Sequence, residues 1–505
     1  MEFRVVRESP VPAYIQIRNH LRGQILRGDL APGTRLPPER EMARLLGVSR
    51  TTVVSAYDEL AAEGLVEARV GRGTVVVGPP SPQPGGEGVQ PIAWPAHLSS
   101  LAQRLQSPTD AELLTLLELG ARPGVISFAG GLPDPDLIPS HRYAEAWEAV
   151  LHEVGTAAAA SSPVQGIAPL RDLIAERLTQ RGISATPEHI MVISGSQQGL
   201  DLLTRLLTEP GDTVLCEAPT YFGALQAFRV QGLRAIGVPV DRDGMDVSRV
   251  EALVARYRPR FIYTIPNFQN PTGATLSLER RRRLLAIAQR YQVPIVEDDP
   301  LGDLWFREPP PPPIKALDER GHVIYLGTFS KSLAPGLRVG WLVAPRPVVE
   351  MALLLRRVAD LQSNTAGQYL VVEFARRGWL DEGIALARAI YEARCRAMDE
   401  ALRQHMPRGV EWLVPGGGLY LWLRLPEGVD AHRLLQEAGR EGVVFLPGRV
   451  LYPDMGPSNV CRLCYTALGE EDIARGVALL ARGFKRLLQG RVAEPQSRIP
   501  GDAVV

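Results

Sequence analysis

Lysine is almost missing from this 505-residue chain: all but three of its 56 basic residues are arginine, and the exceptions are Lys315, Lys331 and Lys485. Each of the three can therefore be considered for chemistry one at a time. Cysteine is scarce as well. Cys216, Cys395, Cys461 and Cys464 are too few and too scattered for a disulfide framework. Cys461 and Cys464 have CxxC spacing, but without a second pair or a nearby histidine they lack the ligand count of a zinc site, so they read as strand residues and no metal is expected. No apolar run reaches the roughly 18 residues that a membrane span needs. Met1 to Pro10 carries two arginines and two glutamates and no apolar core, which is not the pattern of a signal peptide. The expected location is the cytoplasm, with no membrane partner. Net charge is absent too: 56 basic residues balance 56 acidic ones, so total charge neither suggests nor excludes nucleic acid.

What is present is a long chain, 45% hydrophobic and 22% charged, with too many residues for one ordinary core. The sharpest break is the run from Gly78 through Pro91, rich in proline and glycine, which can form neither a helix interior nor a central strand. It reads as a linker. The expected organisation is a small domain at 1–78, a linker at 79–97, a large domain at 98–490 and a flexible tail at 491–505.

In the small domain, Tyr14, Ile17, Leu21 and Ile25 fall at helical spacing and stop at Gly28. A short second helix follows, with Pro38 at its first position, Met42, Leu45 and Leu46 on its buried side and Gly47 at its end. Ser49 caps a third helix whose Val53, Tyr57 and Leu60 face inward until Gly64. Leu65 to Val77 holds two apolar runs around Gly71-Arg72-Gly73, the pattern of a small hairpin. Helix, turn, helix and hairpin is the winged helix-turn-helix layout, whose recognition helix enters the major groove by its N-terminal end. Arg50, Thr51 and Thr52 sit at that end, and Arg72 at the wing tip. Residues 1–78 hold 11 arginines against 9 acids, so charge alone leaves a three-helix protein-interaction domain equally open.

Leu36-Pro-Pro-Glu-Arg-Glu-Met-Ala, Leu46-Gly-Val-Ser-Arg-Thr-Thr-Val, Leu60-Ala-Ala-Glu-Gly-Leu-Val-Glu and Gly71-Arg-Gly-Thr closely resemble the GntR-family DNA-binding domain across residues 10–77. The resemblance implies operator DNA as a partner and Arg40, Ser49, Arg50, Thr51, Thr52 and Arg72 as the contacting positions.

From about Val125, strand-like runs alternate with amphipathic helical stretches, which argues for α/β with a mostly parallel sheet. Ile190 to Ser194 reads as a strand, Gly195-Ser196-Gln197-Gln198-Gly199 as a tight turn and Leu200 to Leu207 as a helix, an arrangement that suits a phosphate. Val323 to Phe329 is a strand running into Ser330-Lys331 and on to Arg338. A rare lysine at a strand end, beside hydroxyls and a cation, is a candidate carbonyl-trapping amine, although most lysines are simply solvated. Tyr263-Thr-Ile-Pro-Asn-Phe-Gln-Asn270-Pro-Thr-Gly ends a strand in a polar turn, and Pro294-Ile-Val-Glu-Asp298-Asp-Pro ends one in carboxylates.

In their order and spacing, GSQQGL, PTYFG, NPTG, EDDP and SKSLAPGLR resemble the fold-type-I aminotransferases, over roughly Ser127 to Leu488. The resemblance implies a pyridoxal 5'-phosphate cofactor and a smaller C-terminal α+β subdomain. It makes Lys331 the amine bonded to the cofactor, Asp298 the partner of the pyridine nitrogen, Asn270 the partner of the phenolic oxygen and Tyr221 the ring-stacking residue. Ser196, Gln197, Thr328, Ser330 and Arg338 would surround the phosphate. Arg462 would clamp a ligand carboxylate, and Gly131 would line the pocket with backbone. Two positions depart from the pattern: Ser161 stands where many relatives carry a tyrosine lent to the neighbouring subunit, and Leu301 where many carry one after EDDP. Both weigh against efficient transamination more than against cofactor binding.

A winged helix joined to an aminotransferase-like domain resembles the MocR-type GntR regulators. The leading expectation is a regulator that senses an amine, an amino acid or the cofactor itself. The rival is a working amino-acid aminotransferase of the 2-aminoadipate type with a DNA-binding appendage, and a third reading is a degenerate domain kept only for dimerisation. A homodimer is expected in each case, because the resembled fold builds each site from two subunits and paired half-sites need two readers.

Overall fold

The computed structural model describes residues 5–6, 11–69, 73–77, 92–105, 114–116, 118–454 and 456–493. The chain divides into two compact units, Met1–Leu98 and Ser99–Val505.

The first unit holds α1 (Ala13–Leu26), α2 (Glu39–Leu46), α3 (Arg50–Ala62) and the antiparallel hairpin of β1 (Val66–Arg69) with β2 (Gly73–Val76). Ile17, Leu21 and Ile25 of α1 meet Val53, Ala56, Tyr57 and Leu60 of α3 in one core, each large side chain contributing about 1.5–3 kcal/mol on burial. Gly47 ends α2 in the left-handed conformation at φ 65°, which turns the chain directly into α3. Two details differ from expectation. Pro38 is the residue before α2 rather than its first position. Leu45 is exposed, because Met42, Ala43 and Leu46 define the buried stripe of so short a helix and Leu45 projects about 100° away from its centre. Arg72 and the wing tip lie outside the described residues, as do residues 78–91, which hold most of the expected linker, and 494–505 of the expected tail, whose first residues, 491–493, instead continue the helix Glu470–Ala493. Trp94–His97, at the end of the expected linker, form a helical turn.

The second unit is built on an eight-stranded sheet. Its strands are β4 (Ile190–Ile193), β5 (Thr213–Ala218), β6 (Arg234–Asp241), β7 (Gly244–Met245), β8 (Ile262–Thr264), β9 (Ile295–Asp298), β10 (Val323–Thr328) and β11 (Gly340–Val343), in the order β4-β11-β10-β9-β8-β5-β6-β7. The central pairings are parallel, and antiparallel pairs occur only around β11 and at the β7 edge. Every residue of β4, β8, β9, β10 and β11 is buried, as a sheet covered on both faces requires. Alternation divides the faces: Met191, Ile193, Tyr263 and Val296 pack against helices Ser196–Leu207 and Phe222–Gln231, whereas Ile190, Val192 and Tyr325 pack against Ala168–Gln180 and Thr365–Arg376.

A smaller α+β subdomain follows. Its antiparallel sheet runs in the order β12 (Glu411–Leu413), β13 (Tyr420–Arg424), β16 (Val460–Cys464), β15 (Leu446–Pro447), packed against helices Trp379–His405, Ala431–Arg440 and Glu470–Ala493. Cys461 and Cys464 lie buried on β16 as strand residues. The earlier segment β3 (Ile126–Ser127) pairs in parallel with β14 (Val443–Val444), and this carries Phe128 to Gly131 along the subdomain into the space above the large sheet. No helix among the described residues is long and apolar enough to cross a membrane.

Candidate functional site

The carboxyl ends of β4, β5, β8, β9 and β10 point the same way, and the residues that follow them converge at that edge, the usual place for a ligand in a parallel sheet. Asp298 ends β9, buried at 2% exposure. Tyr263 Oη donates to its Oδ2 at 2.8 Å, while Oδ1 is buried without a hydrogen-bond partner. Burial pushes the Asp298 carboxyl up to about 7; Tyr263 and Ser196, the latter facing it beyond ordinary hydrogen-bond geometry, pull the other way. An acid in this state is poised to hold a cationic ring nitrogen on its free oxygen.

Lys331 follows β10, and its Nζ donates to the carbonyl of Gly131 at 2.5 Å. Burial lowers the amine to about 8, with the charges of Arg462 and Arg338 acting in the same direction. A useful fraction of Nζ is therefore an uncharged nucleophile near neutral pH. A Cβ at Gly131 would lie 2.7 Å from Tyr420 Oη, so any other residue there would have to displace the Tyr420 side chain.

The anion cradle stands at the other end of the pocket. Helix Ser196–Leu207 begins at Ser196, so Ser196 and Gln197 belong to its first turn rather than to the turn before it. Gly195 precedes it at φ 89°, and a Cβ there would lie 2.8 Å from Arg338 Nη2, which donates to Ser194 O at 2.5 Å. Backbone N–H groups, an arginine and the buried, unpartnered Ser196 hydroxyl thus face one spot. Thr328 Oγ1 donates to Ser330 Oγ at 2.9 Å and accepts from Ser330 N, which shapes the loop before Lys331. Gln197 Nε2 donates to Gly223 O at 2.9 Å, and a Cβ at Gly223 would strike both Gln197 and the Tyr221 ring. Burial and the charge of Asp298 raise the Tyr221 phenol, so it stays neutral against the pocket.

Arg462 on β16 donates to Asn270 Oδ1 at 3.1 Å and to the carbonyls of Ala129 and Gly130 at 2.7 and 2.6 Å. Its guanidinium lies 4.3 Å above the Tyr420 ring, and its Nε–H is buried without a partner. The structure therefore brings together Lys331, Asp298, Asn270, Tyr221, Ser196, Gln197, Thr328, Ser330, Arg338, Arg462 and Gly131. Sequence reasoning missed Tyr263 and Tyr420. Tyr263 was legible only through strand register: it pairs with Val296, two residues before Asp298 and on the same face. Ser161 donates to Gln362 Oε1 at 2.5 Å, and Leu301 is buried in the apolar core beside Phe268.

In the first unit, Ser49 caps α3 by accepting Thr52 N at 3.1 Å and bonds the Thr52 hydroxyl at 2.7 Å. Arg50 and Thr51 are exposed on the first turn, and Arg40 is exposed on α2.

These geometries define a class: a winged-helix unit on the same chain as an aminotransferase-type pocket. Residues 124–480 match the family Aminotransferase class I and II, and residues 13–76 match Bacterial regulatory proteins, gntR family. The probable rhizopine catabolism regulatory protein MocR of Rhizobium meliloti is 32% identical over 95% of each chain. The 2-aminoadipate transaminase of Thermus thermophilus is 41% identical over 79% of this chain and 99% of its own. The crystal structure of LysN, an alpha-aminoadipate aminotransferase of that organism complexed with N-(5'-phosphopyridoxyl)-L-leucine, superposes at a TM-score of 0.73, with 39% identity over 79% of this chain and 100% of its own. The chain belongs to the aminotransferase class I and II family, in its MocR-type branch of GntR regulators.

The donor set fits pyridoxal phosphate, with a free buried carboxylate oxygen, a low-pKa amine and an anion cradle in one pocket. Tyr263→Phe should weaken cofactor affinity by about tenfold, the equivalent of one hydrogen bond to a charged group. It should also move the Asp298 pKa further up, since the phenol holds it down. Equilibrium titration of the apoprotein with cofactor, followed by absorbance across pH, checks both.

Proposed function

We propose that the chain is a transcription regulator whose pocket, loaded with pyridoxal 5'-phosphate, reads an amine or amino acid and passes the result to an operator-binding winged helix. The observation that carries this reading is the pairing, in one chain, of a capped and exposed recognition helix with a pocket that keeps its amine, acid and anion cradle. Bound there, the cofactor supplies a carbonyl for amines and an electron sink. Lys331 would hold it through Nζ, Asp298 would pair with its ring nitrogen, Asn270 with its phenolic oxygen, and Tyr221 would pack on its ring. Ser196, Gln197, Ser330 and Arg338 would receive its phosphate, with Thr328 shaping that loop. Arg462 uses its spare Nε–H and cationic face for a ligand carboxylate.

The pocket also contains a way to report occupancy. Nζ of Lys331, when it carries no cofactor, donates to Gly131 O, and Gly131 continues the segment that β3 fastens to the small subdomain. A free and an occupied Nζ would thus bias that segment differently, which is the differential interaction a ligand needs to shift a conformational equilibrium. A homodimer is part of the proposal. Met351, Leu354, Val358 and Leu361 leave an exposed apolar stripe on and just after the helix Arg346–Ala359, which a second copy would cover.

A second reading, active transamination, is favoured by the retention of Lys331, Asp298 and Arg462 and by the 41% identity to the 2-aminoadipate transaminase. Ser161 and Leu301 count against it. Absorbance of the loaded protein during an amino-acid scan, with and without a keto acid, separates the two. A spectral change that stalls, together with DNA binding altered by the same ligand, is expected of the regulator; sustained formation of new amino acid would make the chain an aminotransferase. In the same assay Arg462→Ala should raise the half-saturating concentration of carboxylate-bearing ligands by roughly 10- to 100-fold, the range for a lost charge-assisted bond, and leave simple amines nearly unaffected.

A further inference from the structure

On the DNA-binding unit the first turns of α2 and α3 meet through one ion pair. Glu39 Oε2 accepts from both Nε and Nη2 of Arg50, at 3.0 and 2.8 Å. The junction is fixed by more than this pair, because Tyr57 of α3 donates to Pro37 O at 2.8 Å, two residues before Glu39. The arginine is 58% exposed and the glutamate 35%, so the pair adds at most about 1 kcal/mol to the fold. An acid in the first turn of α2 suits the helix's N-terminal dipole, by about 0.3–1 kcal/mol at an exposed position, but the dipole does not dictate that it grips Arg50. On a surface that meets phosphates, a negative charge also costs affinity.

The geometry accounts for it in another way. Glu39 occupies the side edge of the guanidinium, formed by Nε and Nη2, and none of the described residues takes the remaining N–H groups. What is left is the end-on fork of Nη1 and Nη2, two parallel donors that match guanine O6 and N7. We propose that Glu39 is a specificity-determining residue: it holds Arg50 so that its end-on fork faces a base edge, and it denies the same guanidinium to the DNA backbone. Arg40, exposed on the next residue, has no ion-pair partner among the described residues and is left to meet phosphate. The inference rests on the reading that α3 faces DNA.

The test uses the full chain with its cofactor and three duplexes: one selected by the wild-type protein from a random pool, the same duplex with its selected G·C pairs exchanged, and a scrambled duplex. Affinities over a salt series are measured for wild type, Glu39→Gln, Arg50→Ala and the double variant, with thermal melts alongside. Glu39→Gln is expected to melt as wild type does and to bind scrambled DNA several-fold tighter. Its log-affinity against log-salt slope should steepen by about one, as for one added phosphate contact. The preference for the selected duplex over the exchanged one should fall about tenfold, within the range for one bidentate base pair contact. In the Arg50→Ala background Glu39→Gln should change that preference no further. An unchanged preference and slope in Glu39→Gln, or an equal change with Arg50 absent, overturns the proposal. If the wild type selects no sequence at all, the DNA-facing reading of α3 fails first, and the proposal fails with it.

Discussion

Lys331→Ala should abolish covalent capture of the cofactor while leaving the fold intact. After borohydride reduction and peptide mapping, the wild type should carry the cofactor on one lysine, and the variant on none. The composition makes this unusually decisive, since only Lys315 and Lys485 remain as alternatives. Lys315 is held by Asp318 at 3.3 Å, and Lys485 is exposed on the terminal helix. The pH dependence follows from the cause of the shift. Burial lowers Nζ to about 8, so capture by the wild type should rise with pH and level off above that value. A solvated lysine would go on gaining well beyond pH 9, given its ordinary pKa near 10.4. Any transamination should fall by roughly 10²–10⁴-fold, the usual cost of losing a positioned proton-transfer group, and DNA binding should stop responding to amines.

Much of this pocket was legible in the sequence because its parts sit at strand ends and helix starts, where short-range pattern is strong. The turn before Ser196, the carboxylates after β9 and the lysine after β10 each follow a run of buried residues that announces a strand. The Ser49 cap was readable for the same local reason. Contacts between distant segments were not. Gly131 receives Lys331 across 200 residues and Arg462 reaches Ala129 and Gly130 across more than 330, through the β3–β14 pairing that no local pattern specifies. Tyr263 needed the β8–β9 register, and Glu39 needed the angle between two helices. Leu45 was misplaced because in an eight-residue helix one shift of the apolar stripe moves a side chain from core to solvent.

Asp298→Asn should act in opposite directions on the empty and the loaded protein. In the apoprotein, Asp298 is ionised at a cost, since burial raises its carboxyl from 3.8 to about 7 and the neighbouring Asp299 adds to the shift. The folded state thus binds the proton more tightly than the unfolded one. Stability is complete below about pH 4 and is lost as pH rises through 7, by up to roughly 4 kcal/mol at 1.36 kcal/mol per unit. Asparagine keeps the shape and an acceptor for Tyr263 but has no charge to bury. Apo Asp298→Asn should therefore match wild type near pH 4 and exceed it at pH 8 by a few kcal/mol in urea unfolding. With cofactor the order should reverse: the carboxylate that burial penalises is the partner of a protonated ring nitrogen, and removing one member of a buried pair costs about 3–5 kcal/mol. Cofactor affinity should accordingly drop by at least a hundredfold in the variant. A crossing of the two stability curves on adding cofactor is the signature of a carboxylate kept for the ligand rather than for the fold. Parallel curves would instead mean that Asp298 has no partner beyond Tyr263 and that the ring nitrogen is held by another group.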